Sequence, residues 1–501
     1  MSSLATSSEL EPFKVVEATI ESIHAAFKAG TLTARQLVEQ YLARIDAYDQ
    51  KGPALNAVIA LNPEALAEAD RLDAALKSGS FVGPLHGIPL LIKDQVDIKG
   101  MATTLGSVLF KDYRPERDSF VIDKVKRAGA IMLGKVTLGE LGGGDTHGSL
   151  FGSTRNVYDL DRTAGGSSGG SGASVSANFC TASIGQEGFA SIRRPSTWNG
   201  IVGMRPTAGL VSRTGAYGGW PALNGSLGPM ARTVTDLAKL LDCMVGYDPK
   251  DPATAYGFDK APASFSADLS KATLKGARIG ILREPMGFAT EPDSDDFKKI
   301  DAVFCAAVED LRAAGAEIID PIVIPDLRAL LATRARSGDE DEAGYVNYIK
   351  GNKAPFATKA EAQASPLFAK VGIHSQGRWR GSSTVEQQLA QANARTTLMT
   401  NMLNLMAQHR LDAIVHKAVE HQPTLIKDGV NEPFVDQKGA PSINTFLMFV
   451  PSIVVPAGFT TDQLPAGITF LGRPYSDARM IELAYAYEQA TRHRRAPAST
   501  P

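Results

Sequence analysis

The sequence predicts an α/β protein built on one large, twisted, mixed sheet that is flanked by helices in an α/β/α arrangement. Short apolar runs of β-strand length recur along most of the chain, and helical or glycine-rich segments separate them. A later segment, residues 334–408, is charged, rich in Gln and Ala, and carries no strand signal. This pattern is typical of an α/β fold with a helical cap over the sheet.

The chain begins with two predicted helices. Thr33 and Gln36 have the spacing of a capping box, and apolar residues follow at the 3.6-residue period. Asn62-Pro63 begins the second helix, which ends near Gly79. Buried strands are predicted in the later apolar runs, at residues 88–92, 130–133, 277–282, 411–415, 453–455 and 468–471.

Composition is that of a soluble globular protein, with 44% hydrophobic and 21% charged residues among 501. We expect one domain over residues 1–490, followed by a flexible tail at 491–501. A formal net charge of −2 provides no field that attracts nucleic acid or anionic membrane. We therefore expect a small-molecule substrate, no nucleic acid, no membrane partner and a cytoplasmic location, since no leader or long apolar run is present. The oligomeric state stays open.

Cysteine and histidine spacing argues against disulfides and metal sites. The three cysteines are far apart and form no CxxC pair. The histidines include no H-x-x-x-H or H-E-x-x-H pair. We expect neither a metal nor another cofactor.

Residues 164–172 read Ala-Gly-Gly-Ser-Ser-Gly-Gly-Ser-Gly, which is unusually poor in large side chains. Glycines let backbone N–H groups and small hydroxyls approach another group closely, which suits a phosphate nest or a hydrolytic site. A flexible linker is the alternative. A nucleophile elbow also fits the letters G-x-S-x-G, but residues 156–162 are too charged for the buried strand that this motif requires. A Walker-like run at 129–135 has Val136 where a hydroxyl is needed.

Two further segments complete the set of candidate residues. Residues 184–195 are rich in turn formers and place Ser191 before an apolar residue. In residues 83–94 an apolar strand leads directly into Lys93, which predicts that this lysine is buried. The alternative is an ordinary ion-paired lysine with Asp94 as its partner.

In order and spacing these segments resemble the amidase signature family. Its members carry a lysine after a GIP-type strand, a GGSSGG loop and a serine in a G-G-S-I-R segment, and here 24 positions separate Ser167 from Ser191. Similar segments occur at 151–156, 203–207 and 228–234, so the signature core covers about residues 60–240. The resemblance implies the amidase signature fold and hydrolysis of amide C–N bonds through an acyl-enzyme. Ser191 is then the nucleophile, Ser167 the relay on a cis peptide and Lys93 the base.

A lysine base requires a lowered pKa. At its ordinary value of ~10.4 a lysine is only about 0.1% neutral at pH 7.4, so burial has to lower the pKa by roughly 2 to 3 units.

The resemblance also assigns the oxyanion hole and part of the pocket. Backbone N–H groups form the hole, at Gly188, Phe189, Ala190 and Ser191. Glycines form a pocket wall, at Gly142, Gly143 and Gly144. The chain departs from the family at Glu187 (usually Asp) and at Phe189-Ala190 (usually Gly-Gly), which predicts strain if those positions need positive φ.

Phe189 is expected to line the pocket and to favour hydrophobic or aryl amides, with aryl carbamates (urethanes) and esters as chemically related substrates. Two alternatives stay open. One is the amidotransferase component of a tRNA-dependent complex, and the other is a catalytically silent binding protein of the same fold.

Overall fold

The computed structural model describes residues 13–218, 225–335, 338–349, 353–380 and 383–501. Within these residues eleven strands form one mixed sheet, in the order β1-β3-β2-β6-β8-β7-β12-β13-β11-β9-β10, and β4 and β5 form a separate hairpin. The strands are β1 (Val58–Leu61), β2 (Pro89–Lys93), β3 (Ile131–Val136), β4 (His147–Gly148), β5 (Gly152–Ser153), β6 (Ala182–Glu187), β7 (Val202–Arg205), β8 (Ser226–Ala231), β9 (Arg278–Leu282), β10 (Glu317–Ile322), β11 (Ala413–Lys417), β12 (Ser452–Phe459) and β13 (Pro465–Leu471).

Helices flank this sheet, and the prediction of a large mixed sheet between helices is confirmed. The α-helices in the described residues are α1 (Ile20–Ala29), α2 (Ala34–Tyr48), α3 (Ala65–Lys77), α4 (Phe120–Arg127), α5 (Gly169–Ser176), α6 (Arg193–Trp198), α7 (Val234–Met244), α8 (Asp295–Ala313), α9 (Leu327–Ala332), α10 (Gly338–Ile349), α11 (Lys359–Ala364), α12 (Ile373–Arg380), α13 (Val385–Gln408), α14 (Ile426–Val430), α15 (Ile443–Phe446) and α16 (Asp477–Thr491). The capping box predicted at Thr33 and Gln36 is present at the start of α2.

All six apolar runs predicted to be strands are strands, with ends shifted by one to three residues. The pattern does not predict β1, β6, β7, β8 or β10. Strand β6 is fully buried although it contains Ser183, Gln186 and Glu187. Its polar residues serve the loops at its carboxyl end, so a search for apolar runs passes over it.

The short helix α5 follows the glycine-rich segment and consists of Gly, Ser, Ala and Val only. These residue types are mediocre to poor helix formers, alanine excepted. Every residue of α5 is nevertheless buried, and the helix contacts β2, β6 and α6. Small side chains permit this close packing, so tertiary contacts compensate for weak local propensity.

Segment 334–408 is helical in its described parts, which hold α10 to α13. An aromatic cluster joins this segment to the core, because Trp379 donates from Nε1 to the Tyr217 hydroxyl at 3.3 Å. The Tyr348 hydroxyl donates to Asp97 Oδ1 at 2.8 Å. The cap is therefore attached by both packing and hydrogen bonds.

Residues 492–501, which we expected to be flexible, lie against the core. Arg494 forms an ion pair with Glu17 at 2.7 Å and also donates to the Gly200 carbonyl at 2.8 Å. The Ser499 hydroxyl donates to the Val157 carbonyl at 2.6 Å. The basic side chains that suggested a frayed tail are among the groups that hold it.

Cys180, Cys243 and Cys305 form no disulfide. Among the described residues, no helix combines the length and the apolar character that crossing a membrane requires.

Asp477, at the start of α16, gives a stability prediction. Its carboxylate is buried and accepts hydrogen bonds from the Thr207 N–H at 2.8 Å and the Thr207 hydroxyl at 2.5 Å. Burial raises the pKa of Asp477 to about 6. The folded pKa lies above the unfolded value of ~3.9, so this group's contribution is fully present below about pH 4 and is lost as the pH rises through about 6.

We expect Asp477→Asn to gain about 2 kcal/mol of unfolding free energy relative to the native protein between pH 4.5 and pH 8. The asparagine keeps an acceptor for Thr207 but does not titrate. Urea unfolding of both proteins at the two pH values measures the change, with Asp112→Asn at an exposed position as the control. An equal difference between native and variant at both pH values would contradict the prediction.

Candidate active site

The topology of the sheet brings two of the candidate segments together. Strands β2 and β6 are adjacent and parallel, with Ile92 opposite Ile184. Parallel neighbours end at the same edge of a sheet. Lys93 is the last residue of β2 and Glu187 the last of β6, so the turn that leads to Ser191 begins beside Lys93.

Lys93 is fully buried, as predicted. Its Nζ lies 2.7 Å from the Ser167 hydroxyl oxygen and donates to the Gln186 carbonyl at 3.2 Å. Asp94 is not its ion-pair partner, because the Asp94 carboxylate pairs with Lys135 at 2.9 Å and both of those side chains are buried. The lysine of the Walker-like run is thus part of an internal ion pair.

The surroundings of Lys93 favour its neutral form. Burial lowers the pKa of Lys93 well below its ordinary value. The Glu187 carboxylate raises this pKa and the Arg194 guanidinium lowers it, both by less than burial does. The net direction is the one that a lysine needs in order to accept a proton.

The glycine-rich segment 164–172 is buried along its whole length, so the linker interpretation is wrong. The peptide bond between Gly166 and Ser167 is cis. A side chain at Gly166 would collide with the Gly144 carbonyl oxygen, and one at Gly170 would collide with the backbone of Thr137. Glycine is required here because backbone packs directly on backbone.

Ser191 follows β6 and is 8% exposed, on the surface of a cavity. The two serine segments are joined through the backbone, since the Ser168 N–H donates to the Ser191 carbonyl at 3.1 Å. The described residues contain no hydrogen bond between the Ser167 and Ser191 hydroxyls. Such contacts are often long before substrate binds. The structure thus brings Lys93 to Ser167 and the Ser167 loop to Ser191.

Glu187 organises the turn around Ser191. Its carboxylate accepts hydrogen bonds from the N–H groups of Ile192 at 2.9 Å and Arg193 at 3.0 Å, and from Arg193 Nε at 2.7 Å. Arg193 also donates to the Phe189 carbonyl at 2.8 Å. Burial raises the pKa of Glu187, but Arg193 and Arg205 together outweigh it and the net shift is downward, so the carboxylate is charged.

The backbone of the turn accommodates Phe189 and Ala190 without the expected strain. Neither residue is among those of the described chain that have positive φ. The N–H groups of residues 188–191 donate to no acceptor in the described part of the chain. They are therefore open to a ligand oxygen, as an oxyanion hole requires.

A cavity of about 730 Å³ lies over Ser191. The predicted wall of Gly142, Gly143 and Gly144 lines it, together with Phe189. Residues that sequence reasoning missed complete the lining, and they include Glu140, Leu141, Tyr217, Phe288, Leu331, Arg334, His374, Trp379, Phe434 and Asp436. Most of these come from loops and from the cap, where no motif marks them.

Phe189 is covered rather than open to the cavity. Its ring is only 2% exposed, and the guanidinium carbon of Arg334 lies 4.0 Å from the ring centroid. Arg334 therefore forms much of the surface that the cavity presents above the turn.

A metal centre is not apparent. In the part of the chain that the structure describes, no three His, Cys, Asp or Glu side chains are grouped so that they hold a metal ion.

Fold and site together define the class, and the chain belongs to the amidase family. The family model described as Amidase matches residues 36–481. The structure is similar to that of native peptide amidase from Stenotrophomonas maltophilia, with a TM-score of 0.87 and 33% identity over 98% of this chain and 100% of that one. It is also similar to a bacterial aryl acylamidase of the amidase signature family, with a TM-score of 0.78 and 25% identity over 95% and 96% of the two chains.

Curated relatives add a different activity. The amidase-like component of glutamyl-tRNA(Gln) amidotransferase from Synechococcus sp. (strain CC9605) is 31% identical over 501 aligned positions, covering 94% of this chain and 96% of the relative. We expected small-molecule chemistry with no nucleic-acid partner, and these relatives show that this expectation is wrong. Net charge is a sum over the whole surface, so a value of −2 excludes neither a local RNA contact nor one made through a partner protein.

Proposed function

We propose that the chain hydrolyses C–N bonds of hydrophobic or aryl amides through Ser191, Ser167 and Lys93. The observation that carries this proposal is the 2.7 Å contact between Lys93 Nζ and the Ser167 hydroxyl in a fully buried setting that lowers the lysine pKa. A solvated lysine would be protonated and would have no lone pair for a proton. The arrangement therefore supports a base rather than a structural cation.

In the proposed reaction the Ser191 oxygen attacks the amide carbonyl carbon. Its proton passes to Ser167, while the Ser167 proton passes to Lys93 Nζ. The N–H groups of residues 188–191 stabilise the negative charge that develops on the carbonyl oxygen. When the C–N bond breaks, the proton returns through Ser167 to the leaving amine, and an acyl ester on Ser191 remains. Water then attacks this ester by the same relay and frees the serine.

Apolar groups in the lining support the substrate class. Tyr217, Phe288, Phe434 and Trp379 surround the cavity above Ser191. Burying an aryl ring against such a wall contributes about 1 to 3 kcal/mol. The structural likeness to an aryl acylamidase supports the same substrate class. Aryl carbamates and esters pass through a similar tetrahedral oxyanion and belong to the test.

The test is a panel of acyl 4-nitroanilides, short aliphatic amides, aryl carbamates and esters, given to the purified chain alone. Anilides with hydrophobic acyl groups should show a kcat/KM at least about tenfold above that of short aliphatic amides. Absence of turnover on every member would refute the proposal.

A second candidate function has its own support. Relatives aligned over nearly the whole chain are named as components of a glutamyl-tRNA(Gln) amidotransferase. This candidate predicts that the isolated chain is inactive on simple amides, that it co-purifies with partner proteins from its own cells, and that the complex amidates glutamyl-tRNA(Gln). Turnover of the anilide panel by the chain alone, without co-purifying partners, would count against it.

Phe189 provides a prediction about specificity. We expect Phe189→Gly to lower the ratio of kcat/KM for aryl amides to that for short aliphatic amides by about tenfold, because the aromatic support of the cavity is lost while the backbone donors persist. Steady-state kinetics on matched anilide and aliphatic substrates measure the ratio. An equal loss on both substrates would instead mean that Phe189 holds the turn in shape.

A further inference from the structure

Arg334 places a positive charge in the lining of the cavity that also contains Ser191. The backbone that carries it is anchored, because Leu331 and Ala335 on either side are buried. The Arg334 N–H donates to the Leu331 carbonyl at 3.3 Å, and the Ala335 N–H donates to Gln391 Oε1 at 3.3 Å. The guanidinium group is therefore presented from a fixed position at the start of the cap.

The ring of Phe189 supports this guanidinium group from below. A separation of 4.0 Å between the guanidinium carbon and the ring centroid is a close cation–π contact. Phe189 is two residues before Ser191, so the charge lies close to the turn proposed to hold the reacting carbonyl. Arginine matches a carboxylate in shape and hydrogen bonding better than any other side chain.

Two acids share the lining, and each is engaged by the wall at both of its oxygens. Glu140 accepts hydrogen bonds from the Ser149 hydroxyl and, at 3.1 Å, from the Gly372 N–H. Asp436 accepts hydrogen bonds from the Asp145 N–H at 2.7 Å and from Gln437 Nε2 at 3.2 Å. These contacts tie the two acids to the structure of the wall. A substrate anion would meet the guanidinium group on the Phe189 side.

From this geometry we propose that Arg334 forms a carboxylate-binding subsite, so that the preferred substrates are amides that carry an anionic group elsewhere in the molecule. The inference rests on the proposed amidase function and narrows its substrate class. Arg334 is then a specificity-determining residue, and Phe189 serves as the support of its guanidinium group as well as part of the turn.

The test compares anionic and neutral substrates of similar size. On the acyl side, succinic acid mono-4-nitroanilide is compared with pentanoic acid 4-nitroanilide. On the amine side, N-butyryl-4-aminobenzoate is compared with butyryl-4-methylanilide. For at least one pair the native protein should favour the anion by about tenfold or more in kcat/KM, as a charge-assisted hydrogen bond implies. Arg334→Met should reduce that ratio to about one.

Arg328→Met is the matched control, because Arg328 lies on the same segment, is exposed and does not line the cavity. It should keep the native ratio. Equal kcat/KM for anionic and neutral substrates in the native protein would overturn the inference and leave the amidase proposal intact. So would the same change in ratio in both variants.

Binding separates the two proposals if no substrate is turned over. Calorimetry with Ser191→Ala measures the affinity for each pair without requiring catalysis or a change at Arg334. Tighter binding of an anionic member would support the subsite even if the amidase proposal fails. Equal binding within both pairs would overturn the subsite.

Discussion

Replacing Ser191 by alanine is expected to lower kcat for amide hydrolysis by about 10⁴-fold or more and to abolish covalent labelling by a fluorophosphonate. The loss is large because no other hydroxyl can take over. Ser191 borders the cavity at the end of the turn whose N–H groups are open to an oxyanion, whereas Ser167 is fully buried against Lys93. Active-site titration with the probe and steady-state kinetics on a nitroanilide measure both effects.

Ser168→Ala is the matched control for this variant. The Ser168 hydroxyl contacts only the backbone of Gln186 in the described structure, with its carbonyl and its N–H both at 3.3 Å. We expect a change in kcat of less than about tenfold, since the loss is one neutral hydrogen bond. Retained labelling of the Ser191→Ala protein would mean that another residue is the nucleophile.

The sequence predicted the sheet well where strands are apolar and poorly where they serve the site. Strand β2 consists of Pro89–Lys93 and is visible as an apolar run, but β6 carries a glutamine and a glutamate inside the protein. Glu187 is tolerated there because Arg193 and two backbone N–H groups satisfy its charge. That compensation comes from residues beyond the strand, and a local pattern does not contain it.

The ion pairs show the same limit. Adjacency in the chain suggested that Asp94 is the partner of Lys93, but consecutive residues of a strand point to opposite faces. Asp94 reaches Lys135 of the neighbouring strand β3, and Lys93 reaches the glycine-rich segment. Only the parallel pairing of β2 with β3 and β6 determines these partners.

The pocket was the least predictable part of the site. The glycine wall and Phe189 were expected from the resemblance, whereas Arg334, Phe434 and Trp379 come from segments without a motif. The contact between Arg334 and Phe189 joins residues 145 positions apart in sequence. Their association depends on how the cap packs against the core, through the aromatic cluster around Tyr217.

Lys93 gives the prediction that most directly tests the relay. If neutral Lys93 accepts the proton from Ser167, then kcat/KM of the native protein should rise with pH along an acidic limb as the lysine loses its proton. Burial lowers the pKa of Lys93, so this limb should lie well below the ordinary lysine range. Lys93→Ala should lose about 10³-fold or more in kcat/KM, together with the limb. A pH–rate profile of each protein on one nitroanilide measures both.

Lys93→Met distinguishes loss of the base from loss of structure, because methionine fills a similar volume without an amine. The folded pKa of Lys93 lies below its unfolded value, so the folded protein binds fewer protons there, and its stability falls as the pH falls through that interval. Removing the amine removes this cost, and we expect Lys93→Met to melt no lower than the native protein at pH 7 while remaining as inactive as Lys93→Ala. A Lys93→Met protein that keeps the native pH–rate profile would show that the lysine is a structural hydrogen-bond donor to Ser167 and Gln186 and takes no part in proton transfer.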